Sequence, residues 1–334
     1  MSRNLIEEIK EEVQSNKKCI VLPETEDERV IRAAAKILKQ GFANLILIGS
    51  KDKVESDAKK YGVDIAGVKI IDQTNFDKID DFANEYAKLR AKKGMTFEQA
   101  KTIMTTDPRF FGAMLVRMKM ADGMVAGSLS PTASVLRAAI QVIGPKKGLK
   151  TVSSSFVMLL KDNTYGENGT MVFSDCGVIP EPTAEQIADI TISAVEKARL
   201  VARIKEPKVA LLTYSTKGSA EGETVTKMRE AKKILDEKNV DFAYDGELQF
   251  DAAVVPKVAQ LKAKGSTVAG SANVFIFPNL SAGNIGYKLV QRLAGATALG
   301  PLIQGLASPV HDLSRGCSDD DIVSIVAIAC CEAK

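Results

Sequence analysis

"CIVLPETEDERVIRAAAKILKQGFANLILIGS", residues 19–50, decides the fold. The apolar run "CIVLPE" (19–24) gives way to "DERVIRAAAKILKQG" (27–41), whose apolar residues recur at helical spacing, and then to a second apolar run, "FANLILIGS" (42–50). A short apolar segment followed by an amphipathic one reads as a strand and then a helix. The pattern continues with "KDKVESDAKKYG" (51–62), "VKIID" (68–72) and "DDFANEYAKLRAKKG" (80–94). Such alternation predicts an α/β fold with a mostly parallel sheet.

A second series begins at "KVALLTYS" (208–215) and runs through a helix at 219–238, "VDFAYD" (240–245), a helix near 251–263 and "NVFIFPN" (273–279). It ends on a helical pattern, "IGYKLVQRLAGATAL" (285–299). Residues 144–175 between the two series are rich in Gly, Lys, Ser and Asn and read as turns around short strands. We therefore expect a chain crossing near 145–152. The closing helix is expected to return over the first sheet, so that residues 1–150 and 290–334 form a discontinuous first domain and 151–289 a second.

The 334 residues are 45% apolar and 26% charged, which suits a globular protein of two domains. Forty-five basic residues against 42 acidic ones form no basic block, which argues against a nucleic-acid partner. No stretch offers ~18 uninterrupted apolar residues, and the N-terminus lacks a signal-peptide core, so a soluble, cytoplasmic, unprocessed chain is expected. Five cysteines with no C-x-x-C and a single histidine, His311, suggest neither a disulfide framework nor a zinc site. Cys176 and Cys317 read most simply as buried small hydrophobes.

The end of the chain, "SPVHDLSRGCSDDDIVSIVAIACCEAK" (308–334), carries the most chemistry. Ser318 and Asp321 have the spacing of a capping box ahead of an apolar helix, and "TEDE" (25–28) and "TAEQ" (183–186) repeat it. Capping alone does not account for Arg315 beside Gly316, because a helix N-terminus already carries positive charge and gains nothing from another cation. An arginine, a flexible glycine and free backbone N–H groups make an anion site.

Two further arginines are candidate anion binders. Arg90 lies on a charged helix, where a solvated face is the simpler reading; Arg137 follows the Gly-Ser-Pro turn of "MVAGSLSPTAS" (124–134), which carries Ser130 and Thr132. "SDCGVIPEPTAEQ" (174–186) places Asp175 and Cys176 at a strand end, a possible pocket wall. Neither "KGSAEGET" (217–224) nor "GNIGYK" (283–288) completes a phosphate-loop or dinucleotide fingerprint. A triad built on His311 would be confined to one local segment with Asp312 and Ser314, and a satisfied surface histidine is the simpler reading.

Five ordered blocks together carry a resemblance: "IVLPETEDERVIRAAA" (20–35), "DGMVAGSLSPTASVLRAAIQVI" (122–143), "FSDCGVIPEPTAEQIADI" (173–190), "ANVFIFPNLSAGNIGYKLVQRLAGA" (272–296) and "GPLIQGLASPVHDLSRGCSDDDIV" (300–323). Over essentially its whole length the chain resembles the short, single-unit members of the phosphate acetyl/butyryltransferase family. The resemblance implies two three-layer α/β domains with a cleft between them, of the isocitrate/isopropylmalate dehydrogenase-like architecture, usually in a homodimer. It also implies reversible acetyl transfer between coenzyme A and phosphate by direct attack in a ternary complex. Coenzyme A, acetyl-CoA, acetyl phosphate and phosphate are then substrates, with no permanently bound cofactor and no metal, and acetate kinase is a pathway neighbour.

Carried over residue by residue, the family's Ser-Arg-Gly-Cys-Ser-x-x-Asp motif falls on Ser314, Arg315, Gly316, Cys317, Ser318 and Asp321. The implied roles are Asp321 as base for the coenzyme A thiol, Arg315 as stabiliser of acetyl phosphate and its developing charge, and Ser314 as a transition-state hydrogen-bonding partner. Arg90 and Arg137 are the implied coenzyme A arginines, with Ser130 and Thr132 in the same binding set. A free thiol near ~8.5 and an aspartate near ~3.9 differ by about 4.6 units, roughly 6 kcal/mol against complete proton transfer. Burial of Asp321, stabilisation of the thiolate by Arg315, or a merely orienting Asp321 would each meet that difference.

A butyryl or broader acyl transferase shares the chemistry and differs in acyl-pocket volume. A dehydrogenase on the related fold would need a dinucleotide site, and an inactive coenzyme A-binding module sits poorly with an intact Ser314, Arg315 and Asp321.

Overall fold

The computed structural model describes residues 5–333. In chain order its strands are β1 (Cys19–Leu22), β2 (Asn44–Ile48), β3 (Lys69–Ile71), β4 (Gly123–Ala126), β5 (Ser153–Leu159), β6 (Thr170–Ser174), β7 (Lys208–Leu212), β8 (Ala243–Leu248), β9 (Val274–Ile276), β10 (Thr297–Gln304) and β11 (Val310–Asp312). They form two sheets, ordered β11-β4-β1-β2-β3 and β10-β5-β6-β9-β7-β8, each within its own compact unit. The fold is α/β.

Among the described residues the split unit comprises 5–147 together with 306–333. Every strand pair in its sheet is parallel. Helix Ile79–Leu89 and helix Pro108–Arg117 bury Phe82, Tyr86, Phe111 and Met114 against Val21, Ile46 and Met124 of the sheet. The closing helix Asp319–Glu332 is apolar almost all round because it is covered on several sides, packing on β1, β4 and the helices Leu5–Gln14 and Glu28–Gln40. The chain passes from β1 outward through β2 to β3 and then returns to the other side of β1 as β4. Such a reversal leaves a crevice outside the carboxyl ends of β1 and β4, the usual place for a ligand in a parallel sheet.

The continuous unit spans residues 148–305. Its sheet is mixed, with β10–β5 and β5–β6 antiparallel and the remaining pairs parallel. Phe173, Phe275 and Phe277 pack together on one face. Asp175, at the end of β6, accepts bonds from Ser154, Gly177, Val178 and Ile179, so this strand end is a self-satisfied turn.

Three local expectations are corrected. The last helix of the second series stops at Leu293, Gly295 takes φ 64°, and β10 then pairs with β5, pinned by Gln304 Nε2 bonds to Ser153 and Ser174. The chain therefore returns to the split unit at 305/306, not at 290. No capping box forms at 25–28, because the Thr25 hydroxyl is taken by the Ile48 carbonyl at 2.6 Å and Asp27 caps the helix instead. His311, expected at the surface, is buried on β11, with Nε2 3.2 Å from Glu332.

Candidate active site

The carboxyl ends of β1, β4 and β11 bring three segments together, residues 23–29, 127–132 and 313–321. Glu24 leaves β1 buried, and its carboxylate accepts the backbone N–H of Gly127 and Ser128, each at 2.7 Å, the N–H of Ser130 at 3.1 Å and the Ser128 hydroxyl at 3.1 Å. One side chain thus holds the turn that follows β4. Gly127 has φ 107°, and a Cβ there would lie 2.7 Å from the Leu313 nitrogen, so only glycine lets this turn close on the end of β11.

Arg29, in the first turn of helix Glu28–Gln40, joins all three segments. Its Nη1 donates to the carbonyls of Arg315 and Cys317 at 2.9 and 2.7 Å, and Nη2 donates to the Ser128 carbonyl at 2.9 Å. Asp27 holds the guanidinium in place from Nε and Nη2. Burial works to raise the Asp27 carboxyl, but the hydrogen bonds and charge of Arg29 outweigh it and keep the group below the usual range. Arg109 acts similarly on the turn after β4, bonding Asp107 and the Ser130 hydroxyl, the latter at 2.8 Å.

Against this fixed backing the Ser314–Asp321 segment presents its side chains outward. Ser314, Arg315 and Asp321 are exposed. The Ser314 Oγ accepts the Gly316 N–H at 3.2 Å, and the Ser314 carbonyl accepts the Cys317 N–H at 2.9 Å. The expected capping box is formed: Ser318 Oγ accepts the Asp321 N–H at 3.1 Å, while Asp321 Oδ2 accepts Ser318 N–H at 2.8 Å and Oγ–H at 2.9 Å. Lys36 takes up the other two carboxylates, Asp319 and Asp320. Among the described residues the Arg315 guanidinium makes no ion pair, so a cation stands uncompensated where backbone donors already concentrate positive potential.

Cys317 is buried behind this turn; burial pushes its thiol up to about 11 in spite of Arg29, and burial also pushes the Cys176 thiol well above its ordinary value. Neither is placed to act as a thiolate nucleophile.

Thr132 opens helix Thr132–Ala138 and donates to Asp312 at 2.5 Å, which ties the turn after β4 to the end of β11. Arg137 lies on the same helix, exposed. Arg90 is not on a solvated helix face: it caps helix Ile79–Leu89, half-buried, close enough to Tyr86 to act on its hydroxyl, and Tyr86 in turn bonds Gln141 at 2.7 Å. Among the described residues no hydrogen bond joins Arg90 or Arg137 to the 314–321 segment. The structure thus gathers Ser314, Arg315, Asp321, Ser130 and Thr132 around one sheet edge and places Arg137 on the helix that Thr132 opens, while Arg90 stands at the end of helix Ile79–Leu89.

Sequence reasoning missed Glu24, Arg29 and Arg109, and met Asp312 only as a member of a local triad on His311. The signal for the first two is the dense charge of "PETEDER" immediately after a strand, which local spacing alone accounts for as helix capping.

A parallel-sheet edge with a buried carboxylate clamp, an arginine without an ion pair among the described residues and a capped aspartate is an arrangement that can hold an anion. The family described as "Phosphate acetyl/butaryl transferase" matches residues 4–330, so the chain belongs to that family and is an acyltransferase. It is 49% identical over 331 residues to the phosphate acetyltransferase of Acetivibrio thermocellus, covering 99% of this chain and 98% of that one. The crystal structure of a phosphotransacetylase from Streptococcus pyogenes superposes with a TM-score of 0.94 at 41% identity, over 100% of this chain and 99% of the other. For the fold alone, 4-hydroxythreonine-4-phosphate dehydrogenase from Klebsiella pneumoniae matches at TM-score 0.53 and 11% identity over 95% of this chain and 98% of that one. A dehydrogenase thus shares the architecture.

Proposed function

We propose that the protein is a phosphate acetyltransferase that moves an acetyl group reversibly between coenzyme A and inorganic phosphate. The observation that carries this reading is the near-full-length likeness to a protein named for that activity, with Ser314, Arg315 and Asp321 exposed on one braced turn.

In the direction that consumes acetyl phosphate, the coenzyme A sulfur attacks the acyl carbon, the acyl oxygen becomes negative, and phosphate leaves with the bonding electrons to give acetyl-CoA. Arg315 is the group for both charges, since a fixed cation beside a helix N-terminus stabilises negative charge as it develops. Arg29 supplies the fixity: it grips the Arg315 carbonyl, so the backbone that carries the guanidinium is already ordered when substrate arrives. Ser314 serves as a hydrogen-bonding partner to the transition state.

Asp321 accepts the thiol proton through Oδ1, because the cap engages Oδ2. Proton transfer to a carboxylate is uphill for a free thiol. We assign the compensation to Arg315, which stabilises the thiolate as it forms. Coenzyme A is held by Arg90 and Arg137 together with Ser130 and Thr132, and attack proceeds in a ternary complex without a metal or a resident cofactor.

The same reading makes the protein cytoplasmic, with acetate kinase as the pathway neighbour that consumes or supplies acetyl phosphate. A homodimer is part of it. Ile285, Leu289 and Leu293, 58%, 52% and 82% exposed, line up four residues apart on helix Leu280–Leu293, a stripe suited to a second copy.

The test is to mix purified protein with acetyl phosphate and coenzyme A and follow thioester absorbance, with butyryl phosphate in parallel. Phosphate-reversible acetyl transfer is the expected result. A butyryl preference would move the protein to the sister activity of its family, and no transfer with either substrate would overturn the reading.

A further inference from the structure

One buried carboxyl at the site has no part in the reaction above. Asp312 ends β11 and is 1% exposed. Its Oδ2 accepts the Thr132 hydroxyl at 2.5 Å, while Oδ1 has no hydrogen-bond partner among the described residues. The crowding is tight, since a Cβ on Gly127 would stand 2.3 Å from that oxygen. An ionised carboxylate with one bare oxygen at this depth is costly, and a proton removes the cost.

The charged surroundings favour the proton. Glu24 faces Asp312 from the end of β1, with its own carboxylate committed to the turn after β4. Arg29 donates to the Ser128 carbonyl of that turn and is itself paired with Asp27. On β11 itself, His311 is next in the strand and contacts Glu332 of the closing helix. Burial foremost pushes Asp312 up, the Thr132 bond opposes it, and Glu24 adds to the rise, leaving the group at about 7.

We propose that Asp312 is a positioning residue that sets the hydrogen-bond polarity of Thr132 and so couples anion binding to uptake of one proton. With Asp312 ionised, Thr132 spends its only proton on the carboxylate and offers an incoming anion nothing but lone pairs. With Asp312 protonated, the carboxyl O–H donates to Thr132 Oγ1, and the threonine hydroxyl is released to donate to a phosphate oxygen. Thr132 is half-buried, within reach of solvent, and Asp312 is sealed behind it. The proposal rests on the reading above that puts Thr132 among the residues holding coenzyme A, so the anion it meets is one of that substrate's phosphates.

Inorganic sulfate is the probe, because it stays a dianion throughout the range in which phosphate itself titrates. Its inhibition constant against coenzyme A is measured between pH 6 and 8 for the wild type, Asp312→Asn and Thr132→Val, with melting temperatures recorded for each. Linkage to one proton with a midpoint near 7 weakens wild-type inhibition by about tenfold across that interval. In Asp312→Asn the amide donates permanently to Thr132, so sulfate binds tightly with no pH dependence; Thr132→Val loses both the tight binding at pH 6 and the slope. A wild-type slope that survives in Asp312→Asn overturns the proposal, and should that variant fail to fold, a slope surviving in Thr132→Val does the same. Acetyl transfer with a flat wild-type sulfate profile overturns this inference alone, whereas no acetyl transfer at any pH overturns the function on which it rests.

Discussion

Two buried glutamates end parallel strands, one in each unit, and they are satisfied in opposite ways. Glu247, at the end of β8, is 3% exposed and is held by the Arg229 Nε and Nη2 at 3.0 and 3.1 Å, by the Ser215 hydroxyl at 2.9 Å and by the Gly218 N–H at 2.8 Å. Glu24, at the end of β1, is 6% exposed and is held by backbone N–H groups and the Ser128 hydroxyl, with no arginine hydrogen-bonded to it. Glu247 therefore closes an ion-paired knot, in which Arg229 also meets Glu221 at 3.0 Å. Glu24 spends its charge on shaping a turn, and the arginine at the same sheet edge, Arg315, stays uncompensated. A carboxylate paired with its own cation locks a fold, whereas one that braces backbone leaves the local cation for a ligand.

The sharpest way to break this comparison is to exchange the roles. Arg315→Ala should lose turnover by at least ~100-fold, the scale of removing one electrostatic stabiliser, with little change in melting temperature because the guanidinium holds nothing in the fold. Arg229→Ala should do the reverse, lowering the melting temperature while the surviving folded protein keeps its turnover. Near-normal turnover in Arg315→Ala would remove that side chain from the mechanism. Asp321→Asn follows: loss of a general base costs ~100-fold or more in turnover, whereas asparagine still caps and the stability loss should stay below about 1 kcal/mol. A purely capping Asp321 would give a melting shift with modest kinetic change.

Glu24→Ala sharpens the other half of the comparison. It strands the N–H groups of Gly127, Ser128 and Ser130, and each buried unsatisfied donor costs about 1–3 kcal/mol, so the loss should be on the order of 3 kcal/mol, read by denaturant unfolding. Turnover should fall as well, because the turn it shapes carries Ser130 and leads into Thr132. An unchanged unfolding midpoint would mean that the turn holds itself.

How much of this was legible beforehand depended on the distance over which each interaction acts. The strand and helix periods of residues 19–50 are local, and so is the capping box of Ser318 and Asp321; both are present in the structure. Local logic failed at Thr25, whose hydroxyl was claimed by a neighbouring strand, and at β10, where a Gly-Pro pair interrupts the alternation and the pairing with β5 decides. The clamps were out of reach because Glu24 meets Gly127 across 103 residues and Thr132 meets Asp312 across 180. Charge after a strand announces that something is braced, without naming what.

The smallest effect expected is a pH dependence that belongs to the Glu247 knot. Burial works to raise the Glu247 carboxyl, but Arg229, the Gly218 N–H and the Ser215 hydroxyl outweigh it and hold the group at about 2, against 4.5 for an ordinary glutamate. A carboxyl depressed in the folded state contributes stability that is present above about 4.5 and is lost as the pH falls through about 2. The melting-temperature gap between wild type and Glu247→Gln should therefore be full at pH 6, begin to shrink below about 4.5 and be nearly closed near 2. A gap that stays constant over this range would mean that the knot is held by the shape of its hydrogen bonds and not by its charge, and the contrast with Glu24 would then rest on the arginine's geometry alone.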